Sequence, residues 1–75
     1  MEQIGSGLRA LGLSPIPSEA NFVYVDMKRD GRKVFDALLR EGIIVRHIEG
    51  TMVRVTVGQP DENTAFLNAL KKVLT

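Results

Sequence analysis

Residues 52–58 read Met-Val-Arg-Val-Thr-Val-Gly. In an extended strand Val53, Val55 and Val57 share one face, and Met52, Arg54 and Thr56 share the other. β-Branched residues at period two fit a pleated surface with one buried side. This stretch is therefore read as the central strand, with the valines turned to the core. Arg54 constrains everything built around it. Its face must meet water, a carboxylate or a partner surface, because an unpaired guanidinium is costly to bury.

The chain before this strand offers few ways to cover the valines. Ile4, Leu8 and Leu11 form one apolar stripe over 2–12, with Gly12 as a stop. Gly5 and Gly7 weaken that helix by about 1 kcal/mol each relative to alanine. Residues 14–20, Ser-Pro-Ile-Pro-Ser-Glu-Ala, are expected to form an extended connector. Two prolines so close are excluded from a helix interior or a central strand. Residues 21–27, Asn-Phe-Val-Tyr-Val-Asp-Met, read as the first core strand. Val23, Val25 and Met27 share one face; Phe22, Tyr24 and Asp26 share the other. Tyr24 is expected to pack its ring and keep its hydroxyl at the edge.

Asp30 is placed to cap a helix over 31–41 whose stripe is Val34, Phe35, Leu38 and Leu39, with Arg32 on its wet side. Gly42 follows as a left-handed end residue. Residues 43–48, Ile-Ile-Val-Arg-His-Ile, read as the second strand, and Glu49-Gly50-Thr51 as the turn into the third. Pro60, Asp61 and Glu62 suit a helix start; Lys71 and Lys72 suit its end.

The resulting fold class is α/β (α+β): a split β-α-β core preceded by a short helical tail. Its three-stranded antiparallel sheet has order 1-3-2, with residues 52–58 in the middle and helices on one face. Loop parity then fixes the faces. A turn of three or five residues sets Arg46 opposite Arg54 and Val45 opposite Val55. A two-residue Glu49-Gly50 turn sets Arg46 among the core valines. Register follows the burial of one face, which favours the odd turn. Two arginines side by side repel unless an anion lies near, so the open face is a candidate anion site.

Composition narrows the function classes. Seventy-five residues make one small domain with no cysteine, hence no disulfide or thiolate metal site. The single histidine, His47, makes no metal cluster by itself. Absence of cysteine fits a reducing compartment. A net charge of +1 with mixed signs argues against a nucleic-acid surface. A sheet that bound single-stranded nucleic acid would use Phe22 and Tyr24 within a basic surround, which this charge balance does not supply. No apolar run has the length of a membrane span. Residues 1–7 have no basic start and no long apolar core, so no signal peptide is expected.

Three motifs carry a resemblance over about residues 8–74: Pro-Ser-Glu-Ala-Asn-Phe at 17–22, Glu-Gly-Ile-Ile-Val-Arg at 41–46, and Arg-Val-Thr-Val-Gly at 54–58 before a proline–acid–acid–asparagine helix start. In this order they resemble the C-terminal part of histidinol-phosphate aminotransferases, fold type I enzymes that use pyridoxal phosphate. The resemblance implies that Arg54 binds a substrate α-carboxylate and that Arg46 lies in the substrate-binding region, with contact to a substrate phosphate as one role. It implies that Asn21 lines the domain boundary near the site. Seven residues, 47–53, separate the two arginines, a shorter connection than is usual in the family.

The chain is then expected to be a fragment, with 1–13 a helical tail from a missing large domain and 14–75 the small domain. That large domain of the same chain would hold the cofactor in a parent expected to be a cytoplasmic homodimer. No catalytic, cofactor-binding or metal-binding residue is expected within the fragment, and Arg54 is expected to be exposed and idle in it. A free-standing α/β module that binds an amino acid or another anion is the alternative, because this core serves many functions.

Overall fold

A computed structural model of the chain describes residues 2–17 and 21–75. The elements run α1 (Glu2–Ala10), β1 (Pro15–Pro17), β2 (Phe22–Asp26), α2 (Gly31–Arg40), β3 (Arg46–Glu49), β4 (Met52–Thr56) and α3 (Pro60–Leu74). One antiparallel sheet has the order β1-β2-β4-β3.

The strand at 52–56 is central, as its valine density requires. Val23 pairs with Val55, and Val25 with Val53. These four valines are at most 2% exposed. They join Ile4, Leu8, Val34, Leu38, Phe66 and Leu70 from the three helices in one apolar core. Met27 and Val45 are also buried, and Ile43 and Val57 pack at the margin.

The sheet corrects the expected three strands to four. Pro15–Pro17 adds an edge strand, with Ile16 opposite Tyr24. Proline is barred from central strands because it lacks a ladder donor, but an edge strand needs donors on one side only. Of the connector expected over 14–20, residues 18–20 lie outside the described residues. The strand read at 43–48 begins at Arg46 instead. Residues 43–45 form an irregular lead-in that turns Val45 inward and leaves Ile44 79% exposed.

Arg46 lies opposite Arg54 and His47 opposite Val53. The turn itself is not odd. Glu49 pairs with Met52 across Gly50-Thr51, and the register shifts between His47 and Glu49. The bulge at Ile48 supplies the extra residue that a parity count assigns to the loop.

Helix ends follow local chemistry. The Asp30 side chain accepts a hydrogen bond from the Arg32 N–H at 2.9 Å. At the end of α2, the Gly42 N–H donates to Leu39 O and the Ile43 N–H to Leu38 O. That double bond pattern needs a left-handed residue, and Gly42 has φ 81°. Gly12, with φ 82°, closes α1 in the same way through Leu13 N–H to Leu8 O. At α3, the Glu62 carboxylate reaches back to the Gln59 N–H at 2.8 Å.

α1 forms despite its two glycines because tertiary packing outweighs their propensity cost. Gly7 lies against Leu67 of α3 so closely that a Cβ would meet Leu67 Cδ1 at 2.4 Å. Ile4 and Leu8 are fully buried.

Candidate substrate-anion site

The face of β4 opposite the valines carries Arg54. Tyr24 lies directly across on β2 and Arg46 directly across on β3. Tyr24 is half-buried, as expected for a ring that packs with an accessible tip. Phe22 sits diagonally from Arg54, and the guanidinium carbon lies 4.3 Å from the centre of its ring. That distance is a close cation–π contact. Arg54 is half-buried, which corrects the expectation that it is exposed. Its Nε is buried and has no hydrogen-bond acceptor among the described residues.

Beside these strands an open cavity of about 600 Å³ is lined by Arg46, His47, Arg54 and Thr56, by Ile44 and Val45, and by Arg32 and Phe35 of α2. Three arginines and the histidine meet here, with no carboxylate among the lining residues. One lining arginine is paired: Asp36 Oδ1 lies 3.5 Å from Arg32 Nε, in a well-exposed pair. Exposed pairs of this kind contribute little and leave most of the cation's field in place. The cavity can therefore accept a small anion, with apolar walls on one side.

The hairpin that carries the two arginines is anchored at its tip. Gly50 O accepts from the Gly31 N–H at 2.9 Å, and Thr51 O from the Met27 N–H at 2.9 Å. The His47 ring nitrogen Nε2 lies 3.2 Å from the same Gly50 oxygen. These contacts fix the start of α2 beside β3, which is how Arg32 and Phe35 come to line the cavity.

Below the hairpin, the loop after β4 is held by buried Asn63. Its Oδ1 accepts from the Gly58 N–H at 2.9 Å, and its Nδ2 donates to Gly58 O at 3.1 Å and Gln3 Oε1 at 3.2 Å. A second cavity of about 450 Å³ opens there, between residues 42–45 and the start of α3.

Of the residues singled out in the sequence, Arg46 and Arg54 come together and Asn21 does not join them. Asn21 is exposed, does not line the cavity, and offers its backbone carbonyl to the Val57 N–H at 2.8 Å. Sequence reasoning missed Arg32, Phe35 and His47. Arg32 carried no signal beyond its place on the wet side of an amphipathic helix. Phe22 was legible in principle, two residues from Tyr24 on the Arg54 face.

The sheet order, the small helical layer and the basic cavity describe a small α/β domain with one cationic face. Residues 1–70 match the family model for aminotransferase class I and II, and the chain belongs to that family. Histidinol-phosphate aminotransferase 2 of Pseudomonas aeruginosa is 54% identical over 99% of this chain, which spans 21% of that protein. Among solved structures, histidinol-phosphate aminotransferase from Sinorhizobium meliloti, in complex with pyridoxal-5'-phosphate, superposes with a TM-score of 0.83. Its identity is 30%, over 97% of this chain and 22% of that one. A decarboxylase from Sulfurospirillum multivorans superposes with a TM-score of 0.85 at 30% identity, over all of this chain and 24% of that one. The chain thus spans about a fifth of the length of the curated relatives it matches.

Proposed function

We propose that this chain is the C-terminal small domain of a pyridoxal-phosphate-dependent aminotransferase that moves an amino group between histidinol phosphate and 2-oxoglutarate. On this reading, residues 1–13 are the end of a helix shared with a large domain, and 14–75 form the small domain. The parent is a cytoplasmic homodimer. Among the described residues no helix is long and apolar enough to cross a membrane.

The observation that carries the proposal is the cross-strand pair Arg46–Arg54 on a cavity whose lining has no acid. Two arginines directly opposite on neighbouring strands repel, and an anion held beside them relieves that repulsion. Arg54 takes the α-carboxylate through two parallel hydrogen bonds, and Arg46 takes the second anionic group of a doubly anionic substrate. Asn21 lines the domain boundary outside the cavity.

The lysines of this chain do not suit the cofactor's anchoring role. Lys28, Lys33, Lys71 and Lys72 are all exposed, and none lines either cavity. Lys28 is tied to Gly12 O and Lys72 to Glu41. The large domain therefore supplies the cofactor and its chemistry, and the fragment alone is inactive. This chain's own contribution is to bind, orient and cover the substrate's anionic ends.

Both aminotransferases and a decarboxylase share the fold, so fold does not choose between the reactions. The 54% identity to an aminotransferase, against 30% to the decarboxylase, favours transamination. The test uses the full-length enzyme that carries this segment, given histidinol phosphate and 2-oxoglutarate. Glutamate formation supports transamination; carbon dioxide release without it points to decarboxylation. Arg54→Ala is expected to raise the substrate KM by the equivalent of about 2–5 kcal/mol. Unchanged kinetics remove Arg54 from the site. An anion that binds with full affinity to the 75-residue chain alone favours the free-standing module instead.

A further inference from the structure

Arg54 is held by a surface that does more than fill space. Phe22 presents its ring to the guanidinium at 4.3 Å, from two residue pairs along the β2–β4 ladder. Nε, on the inner edge of the same group, is covered and has no acceptor among the described residues. A guanidinium can grip a carboxylate in two ways. It can use its two terminal nitrogens, or it can use Nε with one of them. With Nε covered, a ligand entering the cavity meets only the terminal edge.

Given the carboxylate role proposed above for Arg54, on which this rests, we propose that Phe22 is a positioning residue. It holds the Arg54 guanidinium so that the carboxylate is bound end-on, through Nη1 and Nη2, and never through Nε. The ring offers its negative face in place of a hydrogen-bond acceptor and so steadies the cation before substrate arrives. A pre-set guanidinium loses less side-chain freedom on binding, which strengthens substrate affinity without touching the reacting atoms. Phe22 therefore acts on KM and leaves kcat nearly alone.

The experiment compares Phe22→Leu, Phe22→Tyr and Arg54→Ala in the full-length enzyme. Phe22→Leu is expected to raise the KM for the amino donor and the oxo-acid by about two- to thirtyfold, the fold-change that a contact of this class represents. Little change in kcat is expected. Phe22→Tyr keeps the ring and is expected to restore KM. An unchanged KM in Phe22→Leu, alongside a raised KM in Arg54→Ala, overturns the positioning role and spares the carboxylate role. An unchanged KM in Arg54→Ala overturns both.

If Phe22→Leu does not fold, 3,4,5-trifluorophenylalanine at position 22 keeps the ring's shape and removes its negative face, and the same rise in KM is expected. Nitrogen NMR of the arginines reads the binding mode directly. On saturation with 2-oxoglutarate, the Arg54 terminal nitrogens should shift and Nε should stay in place. A downfield move of the Nε proton overturns the end-on mode.

Discussion

Arg46 and Arg54 face each other across the β3–β4 ladder, two cations at one level of one sheet. Like charges directly opposite destabilise a sheet by about 0.2–1 kcal/mol. On the proposed reading, the pair is a stability cost that a bound anion offsets. Arg46→Thr, which puts a good strand former at an exposed position, is expected to stabilise the 75-residue chain by up to about 1 kcal/mol. The same change should weaken substrate binding in the full-length enzyme. Urea unfolding at low and high salt checks the first half, since screening should shrink the gain. A loss of stability at low salt refutes the repulsion.

Asn63 is 5% exposed and joins the loop after β4 to α1 through Gly58 and Gln3. Asn63→Ala leaves the Gly58 N–H and C=O without this partner and is expected to cost about 1–3 kcal/mol. Gln3→Ala, at an exposed position, should cost clearly less. Equal losses in chemical denaturation speak against Asn63 as the hub.

At Gly31 a Cβ would lie 2.9 Å from Gly50 O and 3.2 Å from Thr51 C, both backbone atoms that cannot swing away. Gly31→Ala is therefore expected to destabilise the chain by about 1–3 kcal/mol, in the range of overpacking. It should also move the amide resonances of His47 and Thr51 at the hairpin tip. Gly5→Ala is the contrast, because its added Cβ meets only the Arg9 side-chain end at 3.3 Å. That variant should gain up to about 1 kcal/mol of helix propensity.

Asp26 titrates below the ordinary carboxylate value. The Lys28 N–H bonded to Oδ1 at 2.8 Å is the largest cause, followed by the Thr51 side chain and, more weakly, the Lys28 charge. A depressed carboxylate stabilises the fold above its unfolded pKa, and that contribution disappears as pH falls through the folded value. The loss therefore belongs below about pH 4. Asp26→Asn keeps an acceptor for Lys28 and should flatten the acid limb of a urea-midpoint profile. An unchanged limb assigns the acid sensitivity elsewhere.

The sheet order and the buried face were legible because each rests on a strong local pattern. Alternating valines at 53–57 and 23–25 leave one way to hide them, and the Arg46–Arg54 pairing follows from it. The bulge at Ile48 was not legible, because parity counts residues and cannot tell a longer turn from an extra residue in the strand. β1 was hidden by its prolines, which rule out the middle of a sheet but not its rim. The contribution of Arg32 and Phe35 to the cavity depends on where α2 starts relative to the hairpin. That placement rests on backbone contacts of Gly31 and Gly50, which no side-chain periodicity records.

The Pro-Ile-Pro sequence of β1 has one more consequence. Pro15 and Pro17 have no amide hydrogen, so at these positions the rim of the sheet has no donor to offer an incoming strand. The sheet has one margin closed to growth and one margin, at β3, that is not. Edge-to-edge aggregation of this chain during expression should therefore run through β3, where Ile48, and Ile44 in the lead-in before the strand, are exposed. A lysine in place of either isoleucine is the direct way to improve its solubility.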